Sequence, residues 1–476
     1  MVPEFTDEEL AIALKVLGEA YALGEDDEAY VALRRACGKF YKDVKKYRRR
    51  LKRDEINEAD QAVVALTATG SPRRIDDETA GIALVSSAPG ATAGELIVPR
   101  GCYICKEKYT TVDAFYHQLC PACAAFNHAK RDARTDLSGK RALLTGGRAK
   151  IGMYIALRLL RDGAHTTITT RFPKDAVRRF RSMPDSSEWM HRLKVVGIDL
   201  RDPAQVIALA DDVASSGPLD ILINNAAQTV KRSPGAYSAI ADAESLELEA
   251  GPMPELKTFG HTSDAHPQAL VGSVVSHPVL AGDATTADQL TALALEAGSA
   301  DLSRIDAGGL IPDVVDSNSW VQHVGEVDAL ELLEVQLCNS VAPFILVSRL
   351  RPAMTAAAAK RRYVVNVSAM EGQFARGYKG PGHPHTNMAK AALNMLTRTS
   401  AAEMFETDSI LMTAVDTGWI TDERPHVTKE RLAAEGFKAP LDLVDGAARV
   451  YDPIVRGEAG EDLFGCFLKD YSPSAW

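Results

Sequence analysis

The sequence has no long apolar run. None of its windows approaches 18 consecutive apolar residues, which argues against a helix that crosses a membrane. The opening stretch MVPEFTDEEL carries acids where a secretory signal needs bases and then an apolar segment, so we expect no such signal. With 46% hydrophobic and 25% charged residues, the composition excludes wholesale disorder and fibrous architecture. These features predict a soluble, cytoplasmic protein, and 476 residues suffice for two or three domains.

The net charge of −10 conceals an uneven distribution of bases. Between Arg34 and Arg53 there are eleven Lys and Arg and one acid, so this window carries +10 and the remaining chain −20. The acidic bulk argues against general nucleic-acid binding. Residues 1–67 are periodic and predict a helical region, with one basic helix that begins near Lys39. Its bases form either a solvated face packed on the acidic body, or a docking surface for an anionic partner such as RNA or a protein.

Cysteine is scarce, and the seven cysteines cannot all pair. Four of them form the pattern C-x2-C-x14-C-x2-C, at Cys102, Cys105, Cys120 and Cys123. In a chain without a secretory signal this pattern predicts metal ligands rather than disulfides. Four thiolates suit one tetrahedral zinc ion, so we expect a closed, structural zinc knuckle over residues 100–136. The alternative is four reduced thiols in a small core. The preceding segment, 68–99, is rich in small residues and Pro, and predicts a linker.

From about Leu137 onward, short apolar strands alternate with amphipathic helices, which predicts an α/β fold with a doubly wound parallel sheet. Seven strands are predicted, over residues 141–146, 166–171, 194–200, 220–226, 362–368, 410–416 and 465–471. About 100 residues separate the fourth strand from the next core helix, which is far more than a crossover needs. We therefore expect an insertion over about 231–326, including a helix near 284–298, that forms a lid or subdomain.

The stretch LLTGGRAKIGMYIALRLLRDGA at 143–164 reads as strand, tight glycine turn and helix. Such a turn brings backbone amides and a helix N-terminus to a pyrophosphate, so it predicts a dinucleotide site. Arg171 ends the second strand, where an acid would bind the ribose 2′-hydroxyl of NAD and a base pairs with a 2′-phosphate. Arg148, inside the turn, adds positive potential. The sequence therefore favours NADP(H).

Taken in order, these landmarks resemble the short-chain dehydrogenase/reductase family over residues 137–476. The matching motifs are TGGRAKIG at 145–152, NNAA at 224–227, VNVSA around Ser368, NMAKAAL around Lys390 and VDTGWIT at 415–421. The resemblance implies a Rossmann domain and an NADP(H)-dependent oxidoreductase that acts on a small-molecule carbonyl or alcohol. It also implies a homodimer or homotetramer, associated through the helices that hold Asn339 and Lys390.

The resemblance also implies the residues of the site. The catalytic positions would be Asn339, Ser368, Thr386 and Lys390. The cofactor-binding positions would be Thr145, Gly146, Arg148, Lys150, Ile151, Gly152, Arg171, Asp199, Leu200, Asn225, Ala226, Lys390, Thr417 and Gly418.

Three positions depart from the family pattern. Lys150 stands where the family has the middle glycine of the turn, and we expect its side chain to bridge to the pyrophosphate. Thr417 replaces a proline. Thr386 stands four residues before Lys390, in place of the catalytic tyrosine, and an aliphatic hydroxyl is a much weaker acid than a phenol.

This loss of the tyrosine leaves three alternatives. Tyr378, His383 or His385 transfers the proton, with Tyr378 our candidate; or the reaction needs no strong acid; or the protein is a catalytically silent NADP(H)-binding sensor or scaffold. In the last case it would work through its zinc knuckle and basic helix.

Overall fold

The computed structural model describes residues 5–74, 90–259, 306, 308–420 and 423–476. Its first two elements are helices. Helix α1 spans Asp7–Glu19 and begins at a capping box, in which Thr6 and Glu9 each bond the other's backbone amide. Helix α2 spans Glu28–Ala65, begins at the capping carboxylate of Asp27 and contains the predicted basic helix.

A small unit built around the four cysteines follows. Strands β1 (Thr92–Gly101) and β2 (Lys108–Asp113) form an antiparallel ribbon, and helix α3 spans Pro121–Arg131. The linker expected over 68–99 is therefore wrong for residues 92–99, which form most of β1. It is also wrong near Gly70, which packs so tightly on the end of α2 that an added Cβ would lie 2.6 Å from the Val64 carbonyl oxygen. Small residues permit close packing as well as flexibility, and composition alone does not distinguish the two.

A nine-stranded sheet forms the body of the protein. Its strands are β3 Arg141–Leu144, β4 His165–Thr170, β5 Leu193–Gly197, β6 Ile221–Asn224, β7 Glu255–Thr258, β8 Arg362–Ser368, β9 Ile410–Asp416, β10 Phe467–Lys469 and β11 Ser472–Ser474. The order across the sheet is β11-β10-β9-β8-β6-β3-β4-β5-β7, and every neighbouring pair is parallel except β10 with β11. All seven strands predicted from the sequence are confirmed. The chain winds outward in both directions from β3, so a crevice opens between β3 and β6 at their carboxyl ends.

Helices cover both faces of this sheet. They are α4 Lys150–Arg161, α5 Pro173–Arg181, α6 Ser186–Trp189, α7 Pro203–Ser215, α8 Ser238–Ser245, α9 Ala329–Gln336, α10 Ala342–Thr355, α11 Pro384–Asp408, α12 His426–Ala434 and α13 Leu443–Glu458. One apolar core lies between the sheet and α4, α5 and α13. A second core lies under α7, α10 and α11 on the opposite face. The predicted doubly wound α/β fold is confirmed.

Only the two flanks of the expected insertion are described. The first flank contributes β7, which extends the sheet beside β5, so this part of the insertion belongs to the body. In the second flank, the Trp320 ring stacks on the His383 ring with centroids 4.0 Å apart. Residues 260–305, with the helix expected near 284–298, lie outside the described residues.

Among the described helices, the continuous stretch Ala329–Thr355 is long and apolar enough to cross a membrane. Half of its most apolar window is buried, and Leu346 and Leu350 belong to the second core. This is the behaviour of a core helix under a sheet.

Candidate functional site

A cavity of about 550 Å³ opens at the carboxyl ends of β3–β6, where the strand order reverses. Most of the predicted cofactor-binding residues line it together. These are Gly146, Arg148, Lys150, Ile151, Gly152, Arg171, Asp199, Leu200, Asn225 and Ala226. Thr145, Lys390, Thr417 and Gly418 lie outside its wall.

The glycine turn at the start of α4 leaves room for a ligand beside the backbone. Gly146 has φ +70°, and a Cβ at Gly152 would lie 1.9 Å from the Gly146 carbonyl oxygen, so both positions require glycine. The Thr145 hydroxyl accepts the amide of Asn225 at 3.0 Å, which fixes the turn against β6. The N-cap residue of α4, Ala149, provides no side-chain acceptor for the first-turn amides. These uncapped amides are suitable donors for an anionic ligand.

Lys150 takes a left-handed conformation, with φ +52°, at the position where the family pattern has glycine. A non-glycine residue there costs about 1–3 kcal/mol of backbone strain. Its ammonium lies 3.4 Å from a carboxylate oxygen of Asp306, in the second flank of the insertion. The side chain thus points to the insertion, and its expected bridge to a pyrophosphate remains a prediction.

Two arginines line the cavity in different electrostatic settings. Arg148 is paired with Asp175 at 2.5 Å. The Arg171 guanidinium donates to the Tyr237 hydroxyl at 3.2 Å and lies over the Phe172 and Tyr237 rings. Among the described residues, no carboxylate forms an ion pair with Arg171. Its charge is therefore available to an anionic group in the cavity.

Asp199 is buried, and both of its carboxylate oxygens accept hydrogen bonds. Its two oxygens accept three hydrogen bonds from the Arg201 guanidinium, at 2.6–3.1 Å, and Arg201 in turn donates to Glu334 at 3.0 Å. Burial alone would raise the pKa of Asp199, but the adjacent Arg201 outweighs it and lowers that pKa. The carboxylate therefore forms a fixed, ionised wall of the cavity, and Leu200 lies beside it.

Asn339 anchors a helical segment that borders the cavity. It lies in a π-helical turn, Leu337–Val341, between α9 and α10. Its side chain accepts the Gln228 amide at 2.7 Å and donates to the Gln228 carbonyl at 2.8 Å. Asn339 thus ties this turn to the loop after β6. Its neighbour Cys338 lines the cavity, and burial raises the pKa of this thiol to about 11.

Ser368 and Lys390 are buried and do not line the cavity. The Ser368 hydroxyl donates to Asn394 on α11 at 2.6 Å, on the same face of β8 as Asn366, which donates to Thr397. The Lys390 ammonium donates to the Val367 carbonyl at 2.9 Å. Burial lowers the pKa of Lys390 to about 8. Ser368 therefore has a structural partner, whereas Lys390 is a buried amine that titrates near neutrality.

Thr386 and His385 are buried at the start of α11, and their side-chain polar atoms have no hydrogen-bond partner within the described parts of the chain. Thr386 lies one helical turn before Lys390, on the same side of α11. Tyr378, by contrast, is 74% exposed. The structure does not bring Tyr378 into this buried group, because the loop that carries it runs along the surface. His383 instead bonds the Trp320 carbonyl at 2.8 Å.

The loop after β9 begins at Asp416, which the sequence analysis did not select. This carboxyl is 5% exposed, and it accepts the Gly418 amide at 3.0 Å. Burial raises the pKa of Asp416 to about 6. The sequence signal was present, since an acid ends an otherwise apolar strand next to Thr417.

The four paired cysteines converge as the spacing predicts. The sulfurs of Cys102, Cys105, Cys120 and Cys123 all lie within 4.8 Å of one another, a geometry compatible with one metal ion. The same unit packs on the body through an apolar cluster that includes Phe115, Ile420 and Leu441. It is therefore part of the body rather than a separate module.

Polar contacts from this unit, and from Arg74 beyond the end of α2, hold both ends of the segment 417–442, which contains α12 and which we call the β9–α13 loop. At its start, the Trp419 amide donates to the Tyr103 hydroxyl at 3.0 Å. At its end, Arg131 binds Asp442 through two hydrogen bonds of 2.6 and 2.8 Å, and Arg74 donates to the Leu441 carbonyl at 2.7 Å. Sequence reasoning missed these residues, because the bonded partners are more than 300 positions apart.

The sequence is similar to those of known proteins. A family model described as short chain dehydrogenase matches residues 140–246, from β3 to the end of α8. The uncharacterised protein R665 of Acanthamoeba polyphaga mimivirus is 31% identical over 373 residues, which cover 75% of this chain and 71% of that protein.

Two further similarities are shorter or more distant. The short chain dehydrogenase/reductase dpchH of Colletotrichum higginsianum (strain IMI 349063) is 38% identical over 96 residues, 19% of this chain and 23% of that protein. A crystal structure of NADPH-bound carbonyl reductase from chicken fatty liver aligns with a TM-score of 0.43 and 16% identity, over 71% of this chain and all of that chain.

Proposed function

The chain belongs to the short-chain dehydrogenase/reductase family, and we propose that it is an NADP(H)-dependent oxidoreductase that interconverts a carbonyl and an alcohol. The observation that carries the choice of cofactor is Arg171, a guanidinium on the cavity wall with no carboxylate pair among the described residues. The ribose 2′-phosphate of NADP(H) would supply the negative charge that pairs with this guanidinium.

The donor set of the cavity fits this cofactor. The uncapped amides at the start of α4 would hold the pyrophosphate, Arg171 the 2′-phosphate, and Leu200 beside Asp199 the adenine. When bound, the nicotinamide exchanges a hydride with the substrate carbon. The protein's part in the chemistry is to bind the substrate oxygen and to move one proton.

Lys390 is our candidate for that proton donor. Its burial lowers the pKa of the ammonium to about 8, which is close to the value at which a general acid works best near neutral pH. Thr386, one turn earlier on α11, provides a buried hydroxyl without a hydrogen-bond partner among the described residues. This hydroxyl would bind the substrate oxygen. If the carbonyl carbon gained a hydride, Lys390 would give its ammonium proton to the carbonyl oxygen, and the neutral amine would then take a proton back from water.

Two further features complete the proposal. Cys102, Cys105, Cys120 and Cys123 would bind one structural zinc ion as four thiolates. Helices α9–α11 leave large apolar side chains exposed, at Leu333, Val341, Phe344, Met388 and Met395. This surface supports association into a homodimer or homotetramer through these helices.

A catalytically silent NADP(H)-binding protein is the second candidate. The observation that favours it is the Ser368 hydroxyl, which is bonded to Asn394 instead of facing the cavity, in a chain that also has Thr386 in place of tyrosine. Turnover distinguishes the two candidates.

The test of the enzyme is oxidation of NADPH with a panel of aldehydes and ketones. We expect turnover that falls at least 100-fold in Lys390→Met, since general acids contribute about 10²–10⁴-fold, and that is retained in the surface control Lys360→Met. Reduction needs the protonated amine, so its rate is full at low pH and declines as the pH rises through about 8. Absence of turnover in a protein that binds NADPH would support the silent candidate.

A further inference from the structure

Helix α2 carries an apolar stripe at coiled-coil spacing. Its members alternate at intervals of three and four residues, so they occupy the a and d positions of three successive heptads and the a position of a fourth. They are Tyr30, Leu33, Cys37, Phe40, Val44, Tyr47 and Leu51. The next seam positions are Asp54 and Glu58, so the apolar stripe ends after Leu51.

The described chain leaves most of this stripe exposed: Tyr30, Leu33 and Val44 are half-buried, and Cys37, Phe40, Tyr47 and Leu51 are exposed. The residues that α2 buries, Asp60 and Val64, both lie in its last two turns, beyond the stripe. Phe40 is 70% exposed, and the Tyr47 and Leu51 side chains are about half exposed. Helix α1 has no buried residues. Each large apolar side chain left in water forgoes about 1.5–3 kcal/mol of burial free energy, and a helix of 38 residues needs tertiary contacts to persist.

The basic residues of α2 avoid the seam. With Tyr30 at position a, most of the Lys and Arg fall at the outward positions b, c and f: Arg35, Lys39, Lys42, Lys45, Lys46, Arg49, Lys52 and Arg53. Eight of the eleven bases in this window therefore lie on the faces that point away from a partner helix, which permits pairing along the apolar stripe.

The charges that flank the seam match those of a parallel copy. In a parallel pair, each g residue faces the e residue five positions later on the other helix. Asp43 at g then faces the partner subunit's Arg48, and just beyond the end of the stripe Arg50 at g faces the partner subunit's Glu55. Both pairs are attractive and each occurs twice in a symmetric dimer.

We propose that α2 forms a parallel, two-stranded coiled coil with α2 of a second copy of this chain, over residues 30–51. This interface is separate from the exposed apolar surface of α9–α11 and does not depend on the proposed enzymatic function. It gives the basic helix a partner, and it leaves the cofactor cavity on the body unaffected.

Cys37 provides a direct test, because it is an exposed a residue and would face the partner subunit's Cys37 only in a parallel, in-register pair. The full chain is oxidised with diamide and analysed by non-reducing electrophoresis, with mass spectrometry to locate the bond. We expect a Cys37–Cys37 disulfide in most of the protein within minutes, and its loss in Cys37→Ser. No such link, in protein whose Cys37 reacts with maleimide, would overturn the proposal.

Charge reversal tests the pairing itself. Asp43→Arg would place two arginines opposite each other beside the seam, so it should slow cross-linking at least tenfold. Adding Arg48→Asp to this variant should restore the cross-linking rate. Lys45→Asp, at outward position b, is the control and should leave the rate within about twofold. Equal cross-linking in Asp43→Arg and wild type would overturn the proposal. The proposal would also be overturned if added RNA protected Cys37 from maleimide and no cross-link formed without RNA. That result would indicate an anionic partner instead.

Discussion

Asp416 is a buried carboxyl at the end of β9, and burial raises its pKa to about 6. Because the folded pKa lies above the unfolded value of about 3.8, the folded state retains this proton to higher pH than the unfolded chain. Its contribution to stability is therefore lost as the pH rises from about 4 to about 6.

Asp416→Asn removes the free-energy cost of ionising this buried carboxyl, and it retains a side-chain oxygen that accepts the Gly418 amide. We expect the variant to gain on the order of 2–3 kcal/mol in unfolding free energy at pH 7–8 and almost nothing near pH 4. Urea unfolding across this pH range measures the effect, and Asp211→Asn, at a 64% exposed side chain, is the control. A gain that is equal at both pH values would mean that ionisation of Asp416 does not cost stability.

Ser368 illustrates what the sequence predicts and what it does not at the scale of a residue. The motif VNVSA locates β8 and its end, and both agree with the structure. The direction of the hydroxyl depends on Asn394, 26 positions later, which accepts its proton. A motif match does not contain that pairing, because the side-chain partner on α11 is determined only when helix and sheet pack.

At the scale of elements, the unit built around the four cysteines holds the β9–α13 loop at both ends, through Tyr103 at Trp419 and Arg131 at Asp442. A metal ion that joins the four thiols would fix Tyr103, which lies between the two cysteines of the first pair. Loss of the metal should therefore loosen the loop as well as the unit itself.

Cys105→Ser tests this coupling, because it removes one ligand at an exposed position. We expect at least tenfold faster hydrogen exchange in the β9–α13 loop, together with loss of bound zinc, and unchanged exchange in β3 and β6. Cys37→Ser, the same substitution on α2, is the control and should change neither. Rapid exchange confined to residues 100–131 would show that the loop does not depend on the metal.

Elements that a local sequence pattern defines could be predicted, and features that depend on contacts between distant positions could not. Seven of the parallel strands could be predicted because they are short apolar runs between helices, which is a local signal. The docking of α3 on the body was not found, since Arg131 and Asp442 are 311 positions apart. Strand β7 was also missed, because all four of its residues are exposed at the sheet edge and it has no apolar pattern.

On the scale of the whole molecule, one sheet organises the parts that the sequence suggested were separate. The crevice between β3 and β6 forms the cavity, the flanks of the insertion contribute β7 and a contact to Lys150, and the cysteine unit borders the β9–α13 loop. Among the described elements, helix α1 has no buried residues and helix α2 buries residues only in its last two turns. The account therefore depends first on what the cavity binds.

Equilibrium titration with NADPH and with NADH, followed by nicotinamide fluorescence, tests that claim most directly. We predict that NADPH binds more tightly than NADH. Arg171→Ala should weaken NADPH about tenfold to 100-fold, the equivalent of one or two charged hydrogen bonds, and leave NADH unchanged. Arg349→Ala, on the exposed face of α10, is the matched control. Binding of neither nucleotide, or equal binding of both that Arg171→Ala does not alter, would contradict the account.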